Sequence, residues 1–262
     1  MGILLFVICL AASSIGAVVG AGGGVIIKPV VDLLGLLPVS TVSFCSGCTV
    51  LCMSISSLIR TRNNGVKLEV KISTMLAVGA AIGGLIGKWL FELVRNSFGN
   101  ENTLGAIQST LLAVLIFVVF IYICNKDKLP SLRIQNMALT ALIGLCLGLA
   151  SSFLGIGGGT SNVAVLFLFF SMDAKTAAKN SIYIIIFSQI TSISTALITH
   201  SVPAFTWPVL LCMIAGGVGG AILGAAITKR IDNKGVEKLL KLLILFVIAV
   251  SIYNILKFTV LS

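Results

Sequence analysis

Long apolar runs separated by short polar stretches divide the 262-residue chain. Six runs, roughly 40–59, 72–94, 104–124, 174–199, 205–227 and 237–258, hold about 20 residues or more. At 1.5 Å per residue each is long enough to cross a hydrocarbon core of ~30 Å as a helix. Two further runs behave differently. Each opens on small residues, AASSIGAVV or GLCLGLASSFL, and then meets a glycine cluster, GAGGG at 20–24 or GIGGG at 155–159. Beyond the glycines only about 12–13 residues remain before the next polar break, roughly 18–20 Å of helix, too short to span comfortably. The pattern predicts an all-α polytopic membrane protein with about eight transmembrane helices plus short half-helices.

The two interrupted runs belong to a repeat. The glycine clusters lie 135 positions apart, and each is followed by a short apolar run and then a Ser/Thr-rich helix. Further along, GAAIGGLIG at 79–87 matches GGVGGAILG at 216–224, an offset of 137. Two ordered matches at nearly one offset imply two copies of one unit. They are residues 1–124 and 135–262, joined by a charged linker at 125–134.

Composition narrows the class. The chain is 58% hydrophobic and 10% charged, with a mean hydropathy of 1.14, whereas soluble domains carry about 25% charged residues. The bilayer must be its main solvent, which excludes soluble enzymes, nucleic-acid binders and secreted disulfide scaffolds. The N-terminal apolar run lacks a basic leader and continues into the repeated motif, so it reads as mature structure and not as a signal peptide. The seven cysteines sit in or at the ends of apolar segments and read as small hydrophobes.

The net charge of +10 then decides between two topologies. If each glycine-broken run crosses once, the cations divide eight against nine and favour no side. If each is a hairpin returning to its starting side, fourteen collect on one face. Only Lys88, Arg95 and Lys257 fall on the other, with Lys28 inside the first hairpin. The second arrangement alone obeys the positive-inside rule. Equivalent loops also exchange charge, since the basic loop at 60–71 corresponds to one at 200–206 with no Lys or Arg. The expectation is two inverted repeats in the cell membrane, each a Gly-broken hairpin plus three transmembrane helices. The basic loops would be cytoplasmic and both termini outside. Inverted repeats with Gly-broken short helices mark secondary transporters.

A glycine triplet at membrane depth leaves N–H groups unpaired, so it lines a cavity or is buried in protein. The helix that restarts presents the positive end of its dipole. Two such starts aimed at one midplane region favour an anion. The candidate contacts there are Gly20, Gly22, Gly23, Gly24, Gly155, Gly157, Gly158, Gly159 and Thr160. The alternative for the glycines is close helix packing, which is the reading for the single glycines of 79–87 and 216–224. Lys28, one turn from Asp32, either adds charge to the site or forms an i,i+4 pair near the interface. Lys88 and Glu92, near a helix end beside Trp89, read as such a pair. On the helices after the hairpins, Cys45 and Ser46 align with Asn180 and Ser181, and Gln189 lies further on. These side chains either donate to an oxyanion or hold helices together. Cys45, Cys48 and Cys52 share one helical face that would suit a soft ligand or a metal such as copper.

The paired G-x-GGG motifs, Gly20-Ala21-Gly22-Gly23-Gly24 and Gly155-Ile156-Gly157-Gly158-Gly159, resemble those of the sulfite exporter TauE/SafE family of membrane proteins. Pro29 after the first motif fits, as do Ala177-Ala178-Lys179-Asn180-Ser181 and the more divergent Val42-Ser43-Phe44-Cys45-Ser46. The likeness spans essentially the whole chain. The second motif departs by running into Thr160-Ser161-Asn162 and Val163 without a proline, and Cys45 stands where Thr is usual. The resemblance implies export or uptake of sulfite, sulfonates or related organosulfur anions.

The reading is a secondary transporter for a small sulfur-containing anion, working by alternating access around a midplane site. With no ATP-binding motif, movement would be facilitated or coupled to H+ or Na+. The partners are the anion and the lipid bilayer; no nucleic acid, cofactor or resident metal is called for, and the oligomeric state is open. The alternative is a carrier for thiosulfate or copper on the Cys45/Cys48/Cys52 face. An enzyme is disfavoured, because the only histidine, His200, lies in a loop and the eight acids are scattered.

Overall fold

The computed structural model describes residues 1–62, 64–98, 101–126, 132–155 and 159–260. Among them run α1 (Gly2–Val19), α2 (Gly24–Leu34), α3 (Val39–Arg60), α4 (Val70–Phe98), α5 (Glu101–Asn125), α6 (Met137–Leu154), α7 (Gly159–Phe170), α8 (Ala174–Ile198), α9 (Trp207–Thr228) and α10 (Asn233–Val260). Eight are long and apolar enough to cross a membrane. The exceptions are α2 and α7, of 11 and 12 residues, the short helices expected after the glycine clusters. The protein is a multi-pass, all-helical membrane protein.

Local chemistry sets the boundaries. Helices α1 and α6 end on Gly20 and Gly155, at φ 74° and 66°, in the left-handed region where a side chain is strained. Asn136 caps α6 by accepting from the Ala138 and Leu139 N–H groups, and Asp173 caps α8 by accepting from that of Thr176. Lys257 caps the other end of α2, donating to the carbonyls of Asp32 and Leu33 at 2.9 and 3.0 Å. The predicted linker begins inside the last turn of α5, and its residues 127–131 lie outside the described part.

Packing crosses between the halves. Helix α1 lies along α9, and α6 along α4. A Cβ on Gly216, Gly220 or Gly224 would strike Phe6, Leu10 or Ser14 in turn. A Cβ on Gly79, Gly83 or Gly87 would strike Ala141, Leu145 or Leu149. The numbers rise together, so both pairs are parallel, with glycine at every fourth position opening a groove for the neighbouring backbone. Helix α5 packs along α10, and α3 against α8.

Each end of the molecule has its own set of contacts. At one end Lys126 pairs with Glu237, the Lys175 N–H donates to Asn233, and Lys179 reaches the loop after α3. At the other end Ser201 donates to Glu92, Thr41 donates to the Ala204 carbonyl, and Lys257 holds α2.

Candidate functional site

The two breaks meet in backbone contact. A Cβ on Gly159 would sit 1.7 Å from the Ala21 carbonyl oxygen, and one on Gly20 would sit 2.3 Å from the Ala178 Cα. Two serines lock this contact. The Ser181 hydroxyl lies 2.6 Å from the Gly20 carbonyl and 3.3 Å from that of Gly159. Ser46, its counterpart 135 positions earlier, lies 3.3 Å from the Gly155 carbonyl. Each serine therefore binds the C-cap glycine of the opposite half, and the breaks touch backbone to backbone at Ala21 and Gly159. Gly22, Gly23 and Gly24 are buried around them. Thr160 is buried too, and its hydroxyl has no partner among the described residues. Gly157 and Gly158 lie outside those residues.

Other predicted residues are committed elsewhere. Lys28 pairs with Asp32 at 2.9 Å, and both side chains are only 3% exposed. The Asn180 amide holds the segment before α4, accepting from the Glu69 N–H and the Ser73 hydroxyl and donating to the Lys67 carbonyl. Cys45 is buried, and Cys48 and Cys52 are half-buried. Among the described residues no three His, Cys, Asp or Glu side chains gather as metal ligands.

Gln189 is placed differently. It lines a cavity of about 30 Å³ beside Gly155, room for about two water-sized spheres. Four helices build its wall. Helix α8 supplies Gln189, Ser192, Ile193 and Ala196, at the i, i+3, i+4, i+7 spacing of one face. Helix α6 supplies Ser151 and Ser152, α3 supplies Ser43, Phe44 and Gly47, and α4 supplies Lys88 and Phe91. The Ser152 hydroxyl is buried with no hydrogen-bond partner among the described residues. Lys88 lies 3.6 Å from Glu92 and 4.9 Å above the Phe91 ring. Its side chain is 11% exposed. At that separation the ion pair leaves ammonium hydrogens free to donate to a guest. One cation, an amide and several hydroxyls thus converge, and no carboxylate residue lines the wall.

The sequence reading missed Lys88, Ser151 and Ser152 as site residues. Lys88 and Glu92 do form the pair expected, but that pair borders a cavity, because α6 and α8 bring polar side chains to it. The adjacent serines just before a glycine break were the available signal.

Comparison with known proteins agrees with this architecture. The family model described as sulfite exporter TauE/SafE matches residues 5–253. A protein of Bacillus subtilis (strain 168), named as the probable membrane transporter protein YunE, is 24% identical over 270 residues, covering 96% of this chain and 97% of that protein. No solved structure matches. With its two glycine breaks in backbone contact and eight helices able to span a bilayer, the chain belongs to the sulfite exporter TauE/SafE family of membrane transporters.

Proposed function

We propose that the chain is a secondary transporter for a small sulfur-containing oxyanion, sulfite or a sulfonate, and that the anion binds in the cavity beside Gly155. The observation that carries this reading is the wall of that cavity. Lys88 supplies the countercharge, and Ser151, Ser152, Ser192 and Gln189 supply neutral donors in a low-dielectric surrounding. An oxyanion accepts from all of them, whereas a cation would face the Lys88 charge. The contact between Gly20, Ala21 and Gly159 is the barrier that must rearrange for passage. Lys28, paired with Asp32, stays outside the proposed site.

The membrane arrangement forms part of the proposal. Units 1–124 and 135–262 are inverted copies in the cell membrane, with the basic end cytoplasmic and both termini outside. Helix direction supports this. Helix α1 runs parallel to α9, and α6 parallel to α4. Helices α4 and α8 also run the same way, with Ser73 and Thr74 beside Asn180 and Tyr183, and Gly84 beside Ser188. Since α8 and α9 are consecutive spans of opposite direction, α1 and α6 oppose each other.

Flux into proteoliposomes tests the function. Labelled sulfite or a sulfonate should move through the protein without ATP, and Lys88→Ala should abolish the movement while insertion persists. Movement of copper alone, or full activity in Lys88→Ala, would overturn the reading.

A further inference from the structure

A second cavity, of about 20 Å³, lies near the other break, next to Ala17 and Val18. Its lining repeats that of the first. Ala17, Ala178, Ile182 and Thr61 line the second cavity, and Ser152, Ser43, Gly47 and Ala196, each 135 positions later or earlier, line the first. Thr228 and Phe91 correspond at the offset of 137. The two cavities are therefore one feature made twice, one in each half, while their chemistry differs. The second holds Lys175 and Lys179, one helical turn apart on α8, and no carboxylate residue lines it. The Lys179 ammonium donates to the carbonyls of Thr61 and Val66 at 2.9 and 2.8 Å, so the segment after α3 is pinned at this cavity. Lys179 is 8% exposed and has no ion-pair partner among the described residues.

We propose that this cavity is the second mouth of the transport path, an oxyanion-binding vestibule that Lys179 latches shut. The inference rests on the anion-transport reading and extends it to the other end of the molecule. Two neutral carbonyls are weaker acceptors for an ammonium than an oxyanion. An anion entering the vestibule takes over Lys179 and releases the Thr61 and Val66 carbonyls, so binding and opening are one event. The first mouth has no such latch, because Phe44 stands where Lys179 stands in the second half.

A thiol placed in the vestibule reads the latch. With Thr228→Cys, a bulky membrane-impermeant maleimide should label slowly in the parent, above the background from the native cysteines. Lys179→Gln should raise that rate about tenfold, as loss of a charge-assisted hydrogen bond would, and Lys179→Arg should keep it low. Methanesulfonate, which does not consume maleimide, should raise the parent rate where chloride does not, and should have no effect on Lys179→Gln. Lys88→Ala, which disables the first cavity, should keep the methanesulfonate response. Unchanged labelling in folded Lys179→Gln, or a parent rate indifferent to methanesulfonate, would overturn the proposal. Failure of the transport reading shows separately, as absent flux in the wild-type protein.

Discussion

Lys28 and Lys88 are both enclosed lysines followed by an acid four residues on, yet their surroundings set them apart. Lys28 meets Asp32 at 2.9 Å with almost no exposure, whereas Lys88 stands 3.6 Å from Glu92 and borders a cavity. Removing one partner of a buried pair leaves an uncompensated charge, which costs about 3–5 kcal/mol, while replacing both by apolar residues is often neutral. Lys28→Met should therefore lower the melting temperature strongly without changing flux per folded molecule. Lys28→Met with Asp32→Leu should recover most of the loss in the same thermal scan. Loss of flux per folded molecule in the double variant, despite restored stability, would return Lys28 to the transport path. Gly159→Ala belongs to this scale too, because its Cβ would lie inside the Ala21 carbonyl. It should reduce the yield of folded protein, read by size-exclusion chromatography. Sequence spacing identified both lysine–acid pairs. Which of them faces open space depended on helices more than 40 residues away, so spacing alone could not separate them.

At the scale of elements, the parallel pairs α1/α9 and α4/α6 rest on glycines spaced by four. The close packing expected for GAAIGGLIG and GGVGGAILG is what these helices do. Gly83 approaches the Leu145 backbone so closely that a Cβ would sit 1.9 Å from its oxygen, whereas one on Gly219 would meet only a Leu10 methyl at 3.4 Å. Gly83→Ala should destabilise by about 3 kcal/mol, the upper end for overpacking, and Gly219→Ala should stay within about 0.5 kcal/mol. Paired thermal unfolding measurements in detergent would check this, and equal effects would remove the groove argument. The serines after the hairpins were harder to read. Their spacing allowed either anion donors or helix glue; the structure gives Ser46 and Ser181 to glycine carbonyls and leaves Gln189 and Ser192 at the cavity. Both uses need the same hydroxyl on the same helix, so only the position of a neighbouring helix distinguishes them.

Across the whole molecule, tertiary contacts gather several cations at one end. Lys126, Lys175, Lys179 and the residues around Asn233 meet at one end. Two of the three cations that the hairpin expectation sets apart have local work: Lys257 caps α2, and Lys88 lines the cavity. Single cysteines at Lys67, Lys126 and Lys234 should all label from one side of intact cells or oriented vesicles, and a split between Lys67 and Lys234 would remove the inverted topology. The sequence by itself determined the class, the spanning helices and the two glycine breaks. Each of these depends on hydropathy, helical rise or glycine content along a continuous stretch, and those quantities are local. The tertiary structure alone decided that the breaks abut and that Gln189 joins Lys88, Ser151 and Ser152 around a cavity. Those meetings involve helices from both halves, and the register at which distant helices cross is set by packing, which no single stretch of chain records.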